Sequence, residues 1–526
     1  MNPGPPAVAQ PGPRPLRPSL WREERAPRAT VLVDVADYYA ALRDALGKAR
    51  RSVHFLNWAF ETRTRLNPEG ESYLRLGQIL RGLAADGLDV RALCWRAALP
   101  VAMSQEGYPH RNIAVFAGSG VRFVLDGTHP FGACHHQKVV VIDDALAFCG
   151  SADLALDRWD TSEHLDKDIR RRRPRSRAFF DSRREAMALV DGAPAVALAE
   201  LFRERWRRAT GETMAAPAPA STVAWPDGLE PTFTDVAVGI ARTAPGWRGA
   251  AEIRECEMLT LASIAAAKHA IYMENQYFTS PPAAEALAER LAEADGPEVV
   301  LVSTGHAPHW FDRMTMDRAR VGFIKRLVRA DLHDRLQILS PLTRGGAPII
   351  VHDKMAVIDD DFVRVGSTNL NNRSTGFDTE CDLAFRLESG ANRAAAAALR
   401  NRMVGQWFGL AEGEIAEAVR REGRLGAALA SLLAQGRGGL KPIKPKILGP
   451  LASFIAAFHL GDPVGPADSL HPVLRRRRLE ARVEAVIRGE GAMEISASEQ
   501  PPPRRWRRFD PRPRARGRKP GRERPR

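Results

Sequence analysis

With 526 residues, 44% of them hydrophobic and 27% charged, the chain has a globular composition and room for two to four domains, which excludes collagen-like and wholly low-complexity proteins. Its five cysteines are widely spaced and include no CxxC pair, which argues against a disulfide framework or a cysteine zinc site and suits a reducing compartment. The formal net charge is +14, but the last 26 residues carry +10 of it, so the body of the chain is close to balanced.

The predicted elements start after a proline-rich segment. Residues 1–30 are predicted to be disordered, and they hold no apolar run preceded by positive charge that would mark a secretory signal peptide. Helix-like patterns at 37–51 and 73–86 then alternate with short apolar runs at 53–58 and 90–95. This alternation predicts α/β layering.

A stretch rich in Ala and Pro, within a linker at 214–232, breaks this alternation, and the same pattern restarts beyond it. The elements predicted there are helices at 252–268 and 282–294 and strands at 269–273 and 298–303. The chain therefore contains two similar halves, which we place at 31–213 and 233–410.

The C-terminal part of the chain has a different character. Residues 411–474 are predicted as a helical extension, and 475–526 as a basic tail rich in Arg and Pro that is either a solvated end or a contact for anionic surfaces, lipid or nucleic acid. The nearly apolar stretch Ile447 to Leu460 is shorter than the ~20 residues of a spanning helix. It either lies in a membrane interface or packs against the body, and packing is favoured. These features predict a protein that is cytoplasmic or peripheral to a membrane, with export by an unrecognised route left open.

One short pattern occurs twice and is the most informative feature of the sequence. Each half carries His-x-Lys-x4-Asp, and a Gly-Ser pair begins fourteen residues after each histidine. The two copies are His136, Lys138, Asp143 and Gly150-Ser151 in the first half and His352, Lys354, Asp359 and Gly366-Ser367 in the second. A single His-x-Lys recurs by chance, but two copies in register do not. Only ten of the 77 basic residues are lysines, so lysine at both positions indicates that a compact ammonium group is needed.

The spacing predicts where these side chains point. The apolar runs 139–142 and 355–358 are typical of buried strands, on which residues two apart share a face. Each histidine therefore faces the same way as its lysine, whereas each aspartate faces the other side and supports the site rather than reacting. Ser151, Ser367 and Asn369 are predicted to donate hydrogen bonds to an anion.

Two imidazoles, two ammonium groups and neutral donors form an anion site with an acid/base pair. The obvious substrate is a phosphodiester: one histidine attacks phosphorus and the other protonates the leaving alcohol, while the lysines stabilise negative charge. No metal or other cofactor is required by this chemistry, and no carboxylate cluster in the sequence suggests a metal site.

The duplicated motif resembles the mark of the phospholipase D superfamily, and the similarity extends over roughly Val31 to Leu410. Further matching segments are Ile271 to Phe278, Gly150 to Leu154, Arg158 to Thr161 with Glu163-His164, Asn371 to Ser374 and Asp378 to Glu380. The resemblance implies a bilobal fold of two α/β-sandwich lobes, with mixed sheets flanked by helices, related by a pseudo-twofold axis. It also implies one active site between the lobes and a covalent phosphohistidine intermediate.

The same resemblance suggests individual roles. His136 is expected to be the nucleophile and His352 the general acid, with Glu380 orienting His352. The carboxylate that orients His136 is left open among three candidates, Asp160, Glu163 and Asp166. The predicted catalytic set therefore contains the two His–Lys pairs, Asp143, Asp359 and Glu380.

The chain also departs from the superfamily pattern. Asp153 stands where the second copy has Asn369, which we interpret as the variant of the eukaryote-type enzymes, and Asp157 replaces a usual glycine. No lipid-targeting domain of the eukaryotic kind fits into the residues before the first lobe, so the architecture looks bacterial.

The preferred interpretation is a phospholipase D that hydrolyses glycerophospholipids to phosphatidic acid and a head group and also performs transphosphatidylation. The alternatives are a cardiolipin synthase-like phosphatidyltransferase, a nucleic-acid phosphodiesterase and a catalytically silent binding module. We expect a monomer whose partner is a phospholipid membrane surface, with anionic lipid contact by the basic tail as an option and nucleic acid disfavoured.

Overall fold

The structure is a computed structural model that describes residues 19–68, 74–97, 108–173, 176–215, 225–444 and 447–489. The predicted disorder of residues 1–18, the centre of the predicted linker and the tail beyond 489 lie outside the described residues.

The first half alternates strands and helices, as its sequence predicts. Its elements are β1 (Arg22–Val33), α1 (Val35–Lys48), β2 (Ser52–Asn57), α2 (Leu76–Ala85), β3 (Asp89–Trp95), α3 (Tyr108–Phe116), β4 (Arg122–Asp126), β5 (Val139–Ile142), β6 (Leu146–Gly150), β7 (Arg183–Arg184), β8 (Ala186–Asp191) and α4 (Ala193–Thr210).

The second half repeats that order with few changes. Its elements are β9 (Phe233–Ala244), β10 (Ile253–Arg254), α5 (Glu255–Ala266), β11 (Ala270–Asn275), α6 (Pro281–Ala292), β12 (Glu298–Val302), α7 (Trp310–Ala330), β13 (Leu336–Pro341), β14 (Ile350–Val351), β15 (Lys354–Ile358), β16 (Phe362–Gly366), α8 (Asn372–Gly376), β17 (Glu380–Arg386) and α9 (Gly390–Phe408). A C-terminal extension follows with α10 (Glu412–Glu422), α11 (Leu425–Ala434), β18 (Leu440–Pro442), α12 (Pro450–Ala457) and α13 (Pro472–Ile487).

All of these strands except β7 and β14, which pair with each other, form one large mixed sheet with internal symmetry. Its centre is the antiparallel pair of β1 and β9. From that centre the order runs β8-β6-β5-β2-β3-β4 on one side and β17-β16-β15-β11-β12-β13 on the other. Helices α4 and α9 pack on one face of the sheet. On the other face, α1 and α2 cover the first half, and α5, α6 and α7 cover the second half. The predicted α/β fold class with two related lobes is confirmed, and the lobes share a continuous sheet.

The first strand begins well before the predicted ordered start at Val31. β1 begins at Arg22 and pairs with β9 along its first part and with β8 along its last part. Its early residues are mostly polar and partly exposed, so no local apolar run marks them. The prediction of disorder for 22–30 was wrong because long-range pairing, rather than local hydrophobicity, forms this part of the strand.

The predicted start of the basic tail, at residue 475, was also too early in the sequence. Helix α13 runs through Arg475 to Ile487. Arg475 is buried, and its guanidinium donates to Asp468 (3.2 Å) and to the carbonyl oxygen of His459 (2.8 Å). The four arginines 475–478 therefore belong to a packed helix. Arg475 can be buried there because Asp468 and backbone carbonyl groups accept the hydrogen bonds of its guanidinium.

The structure also shows the positions of the arginine run at 170–173 and of four tryptophans. Within the arginine run at 170–173, Arg171 is buried and its Nε lies 3.5 Å from Asp160, so this run is not simply a solvated loop. The tryptophans at 95, 206 and 407 are buried, and Trp58 stacks on Trp95 with ring centroids 5.6 Å apart. No helix in the described part of the chain has the length and apolar character needed to cross a bilayer.

Candidate active site

Both histidines lie at the edge of the sheet where its parallel strands end. His136 and Lys138 immediately precede β5, which runs antiparallel to β2, and Lys354 pairs with Asn275 at the carboxyl end of β11. Ligand sites of α/β sheets occur at this edge. The duplicated pattern thus delivers both His–Lys pairs to equivalent positions.

Each histidine is held by a carboxylate from the other half of the chain. Nδ1 of His136 lies 2.9 Å from Oε2 of Glu380, and Nδ1 of His352 lies 2.9 Å from Oε2 of Glu185. Because both imidazoles use Nδ1 for this contact, Nε2 of each remains for chemistry. The two pairs are equivalent and crossed between the halves.

Short parallel backbone contacts between the halves produce this crossing. The backbone N–H of His136 donates to the carbonyl of Thr379 (2.9 Å), and that of His352 donates to the carbonyl of Arg184 (2.8 Å). β14, which precedes His352, pairs in parallel with β7, which precedes Glu185. The segment before each histidine therefore lies beside the segment before the opposite carboxylate.

The prediction that Glu380 orients His352 is therefore wrong: Glu380 holds His136. None of the three candidates for His136 is its partner either. Asp160 contacts Nδ1 of His164 (2.9 Å), Glu163 is exposed, and Asp166 accepts from the backbone of Gly345 (2.8 Å). These candidates were chosen by closeness in sequence, whereas the true contacts cross between the lobes.

Sequence reasoning missed Glu185. Glu185 and Glu380 stand at corresponding positions, where the chain enters β8 and β17, and these strands pair with β6 and β16 respectively. Aligning the strand that follows each Gly-Ser pair would have found the correspondence. The signal was obscured by the longer insertion between the Gly-Ser pair and this strand in the first half.

The predicted phosphate-binding serines instead contact these carboxylates. Oγ of Ser151 donates to Oε2 of Glu185 (3.0 Å), and Oγ of Ser367 donates to Oε2 of Glu380 (2.5 Å). Both serines are fully buried. Asn369 is different, because its buried Oδ1 has no hydrogen-bond partner among the described residues. The serines therefore position the carboxylates, and Asn369 remains a candidate phosphate ligand.

The lysines are buried and share the face of their histidines. Nζ of Lys138 donates to the carbonyl of His136 (2.8 Å) and lies 3.5 Å from Oδ2 of Asp153. Nζ of Lys354 donates to the carbonyl of His352 and to Oε1 of Gln276 (3.4 Å). Each ammonium group is thus fixed beside its histidine.

Burial and mutual repulsion shift the pKa values of this cluster. Burial lowers the pKa of both histidines well below the usual value, and the charges of both lysines lower each of them further. Burial also lowers the pKa of Lys354 to about 7 and raises that of Glu380 to about 8. Since the lysines of both halves act on both histidines, the two His–Lys pairs form one electrostatically coupled site.

Comparison with known proteins supports this assignment at the level of the family. A family model described as "Cardiolipin synthase, PLD-like domain" matches residues 260–403. Phospholipase D A of Dictyostelium discoideum is 24% identical over 429 residues, covering 67% of this chain and 32% of that protein. A cardiolipin synthase of Halalkalibacterium halodurans is 24% identical over 354 residues, covering 65% of this chain and 60% of that protein. These similarities support the phospholipase D superfamily as the family of this chain.

A solved structure agrees with the fold. The crystal structure of phosphatidylserine synthase from Haemophilus influenzae Rd KW20 superposes with a TM-score of 0.50 at 12% sequence identity, covering 72% of this chain and 86% of that one. At this identity the likeness shows the fold alone. The chain spans only about a third to three fifths of the length of the two curated relatives, so their whole activities are not transferred with the family.

The two aspartates of the superfamily motif lie at the other end of their strands. Asp143 accepts hydrogen bonds from the backbone N–H groups of Arg50 (2.9 Å), Arg51 (2.7 Å) and Ser52 (2.9 Å). Asp359 accepts from three consecutive N–H groups in the same way, at residues 268–270 (2.6–2.8 Å). Both aspartates fix the start of the neighbouring strand and do not contact the histidines.

Asp153 gives the first half a charge that the second half lacks. It accepts from the backbone N–H groups of Trp58 (3.0 Å) and Ala59 (2.9 Å), and its Oδ2 lies 3.9 Å from Arg158. Burial alone would raise the pKa of Asp153, but Lys138 and Arg158 outweigh it and lower that pKa. An ionised Asp153 is therefore compatible with the site, because two cations neutralise it.

Arg158 links Asp153 to the carboxylate of the second histidine. Its Nη1 lies 3.7 Å from Oε1 of Glu185, and its Nε lies 3.8 Å from Asp157. The guanidinium is buried, and its charge lowers the pKa of His352. Asp157, the residue that replaces the usual glycine, thus serves as a counter-ion of Arg158.

Proposed function

We propose that this protein is a phospholipase D that hydrolyses glycerophospholipids to phosphatidic acid and a free head-group alcohol, and transfers the phosphatidyl group to added alcohols. The observation that carries the proposal is the crossed pair of His–Glu contacts, which leaves two Nε2 atoms beside two buried ammonium groups. The lipid-acting relatives favour a phospholipid over other phosphodiesters.

Binding begins with the phosphodiester anion. Lys138 and Lys354 attract its non-bridging oxygens, and Asn369 donates from its side-chain amide. The anion offsets the positive charge that lowers the pKa values of the histidines. It therefore raises the lowered pKa of His352 and favours the protonated form that a general acid needs.

In the first step, Nε2 of His136 attacks phosphorus. A P–N bond forms and the P–O bond to the head group breaks, while the leaving oxygen takes the proton from Nε2 of His352. The ionised form of Glu380 accepts a hydrogen bond from Nδ1–H of His136, so that the lone pair of Nε2 faces the phosphorus. The alcohol leaves neutral, and the phosphatidyl group stays on His136.

In the second step, His352 acts as a base. Its Nε2 accepts a proton from water, the water oxygen attacks phosphorus, and the P–N bond breaks to release phosphatidic acid. A primary alcohol in place of water gives the transphosphatidylation product. Glu185 stabilises the imidazolium form of His352 in both steps.

A second candidate is a cardiolipin synthase-like transfer, in which the hydroxyl group of another phospholipid takes the phosphatidyl group from His136. The description of the matching family model and the relative from Halalkalibacterium halodurans favour it. Either activity would place the protein at a phospholipid surface as a peripheral enzyme.

The test is incubation of the purified protein with mixed-phospholipid vesicles and butanol, followed by mass spectrometry of the lipids, with His136→Ala as the control. We expect phosphatidylbutanol and phosphatidic acid from the unmodified protein alone. Cardiolipin formed from phosphatidylglycerol as the main product would favour the second candidate. Cleavage of single-stranded DNA or RNA without any lipid product would contradict both candidates and leave the nucleic-acid alternative.

A further inference from the structure

An apolar surface lies on residues that the proposed chemistry does not use. It consists of five large exposed side chains from helix α12, the residues before it and the first turn of α7, namely Ile447, Leu451, Phe454, Trp310 and Phe311. Leu451 and Trp310 are each 72% exposed. Contiguous exposed apolar side chains of this size mark an interaction site more often than a solvated face.

Packing between the helices joins the two parts of the apolar surface. Helix α12 packs against α7. Gly461, shortly after α12, lies so close to the Phe311 ring that a Cβ built on it would be 3.1 Å from that ring. The rings of Phe454 and Phe458 are also in contact, with centroids 4.7 Å apart. The apolar surface is therefore one structural unit.

Two hydrogen-bonded links connect this unit to the active site. Asp462 accepts from the backbone N–H of Arg373 (2.8 Å), in the segment that leads from the second Gly-Ser pair to Glu380. The hydroxyl of Tyr277 donates to Asp312 (3.0 Å) in the first turn of α7. Tyr277 follows Gln276, the side chain that accepts from Lys354. The apolar surface is thus anchored beside both flanks of the second His–Lys pair.

The exposed charges of the C-terminal segment that carries most of the apolar surface are mainly cationic. Between residues 441 and 478 the two carboxylates, Asp462 and Asp468, are buried, and Asp468 is neutralised by Arg475 and Arg478. The exposed charged side chains of the described part of this segment are Lys441, Lys444, Arg476 and Arg477, and Arg476 pairs with the exposed Glu480 just beyond it (2.8 Å). Apolar side chains bordered by lysine and arginine are the pattern of proteins that bind an anionic lipid surface.

We propose that the apolar surface inserts into the interface of a phospholipid membrane that contains anionic lipids and holds the active site against it. This inference rests on the proposed function, because the lipid substrate would reach the site from that membrane. The large side chains enter the boundary between head groups and acyl chains, while the flanking cations contact lipid phosphates. Contact with a second copy of the chain is the competing use of such a surface, and it would not need the cationic border.

The experiment compares the double variant Leu451→Glu/Phe454→Glu with a matched control, Leu332→Glu. Leu332 is 71% exposed and follows the carboxyl end of α7, away from the apolar surface. Both are made in the His136→Ala protein, so that no lipid is consumed, and are sedimented with vesicles of phosphatidylcholine containing phosphatidylglycerol. We expect the double variant to lose at least about tenfold in partition coefficient, because two charges replace two inserted side chains. The control should bind like its parent.

Activity assays separate this proposal from the proposed function. With the histidines intact, the double variant should hydrolyse dispersed short-chain phosphatidylcholine normally and lose activity only on vesicles. If the parent binds vesicles through this surface but cleaves no phospholipid in either form, the docking proposal stands and the proposed function fails. Unchanged vesicle binding by the double variant overturns the docking proposal. A dimer that the double variant converts to monomer, with vesicle binding unaffected, would overturn it as well and assign the surface to self-association.

Discussion

The two halves of the active site have the same geometry but different charges. In the first half, Lys138 lies beside the ionised Asp153, which Arg158 also approaches. In the second half, Lys354 contacts the neutral Gln276, Asn369 takes the place of the aspartate, and burial lowers the pKa of Lys354 to about 7. The two halves therefore share the duplicated strands and histidines but differ in the charges around them. These charges give the two histidines different electrostatic surroundings.

The carboxylates that hold the histidines, in contrast, are the same in both halves. Glu185 and Glu380 make equivalent contacts, and each serves the histidine of the other half. Neither half therefore contains a complete His–Glu pair. The parallel backbone contacts between the lobes bring each carboxylate to the histidine of the opposite half.

The largest expected effect comes from removing either histidine. His136→Ala and His352→Ala should each reduce hydrolysis of natural phospholipids by about 10⁴-fold or more, because a nucleophile or a general acid is lost. A phosphatidyl ester of p-nitrophenol distinguishes the two, since this leaving group needs no proton. His352→Ala should release about one equivalent of p-nitrophenol in a burst and then stall, whereas His136→Ala should release none. A burst from His136→Ala alone would mean that the assigned roles are reversed.

The next largest effect tests the crossing. Glu185→Gln and Glu380→Gln should each lower kcat by about 10²- to 10³-fold, because the imidazole loses its orientation and its counter-charge. Adding each change to His352→Ala identifies which histidine it serves. Glu380→Gln should suppress the p-nitrophenol burst, and Glu185→Gln should leave its amplitude intact, since the histidine that Glu185 orients is already absent. The reverse result would mean that the pairing is not crossed in solution.

The charge difference between the halves predicts a dependence on pH. The lowered pKa of Lys354 means that its ammonium is present below about pH 7 and is lost above it, so kcat/KM should fall as the pH rises through that value. Lys354→Arg should remove this fall because a guanidinium stays charged, whereas Lys138→Arg should keep it. Asn369→Asp, which gives the second half the charge of the first, should shift the fall upward by about one pH unit. An unshifted profile would show that the two positions are not electrostatically equivalent.

Much of the site could be predicted from sequence because it depends on local periodicity. The alternation of side chains along a strand predicts that His136 and Lys138 share one face and that Asp143 lies on the other. The duplicated motif predicts the same arrangement in the second half. The strand limits around these residues follow from short apolar runs. Such features are predictable because they involve residues close together along the chain.

The features that sequence reasoning missed depend on contacts between distant segments. Nothing local to Glu380 indicates that it meets His136 rather than His352, because the choice is made by parallel contacts between lobes. Ser151 and Ser367 look like phosphate ligands until the carboxylates beside them are known. The start of β1 at Arg22 was missed for the same reason, since β9 rather than an apolar run defines it.

The smallest expected effect on catalysis, and the largest on stability, comes from Asp143 and Asp359. Each carboxylate divides three backbone N–H groups between its oxygens, with two on Oδ1 and one on Oδ2. Replacement by alanine removes all three acceptors and should cost about 2–4 kcal/mol, whereas asparagine keeps Oδ1 and should cost about 1–2 kcal/mol. Asparagine also tolerates the positive φ of 54° and 51° at these positions.

Comparing the two aspartates sharpens this prediction. Asp143 is buried and one of its N–H partners is buried too, whereas Asp359 is partly exposed, so that water can replace more of its bonds. The shift in denaturation midpoint should therefore be larger for Asp143→Asn than for Asp359→Asn. In both variants, kcat per folded molecule should stay within about threefold of the parent, since neither aspartate contacts a histidine and such distant sites behave independently. A loss of kcat of the size expected for Glu185→Gln, without a change in the denaturation midpoint, would instead assign these aspartates to the catalytic machinery.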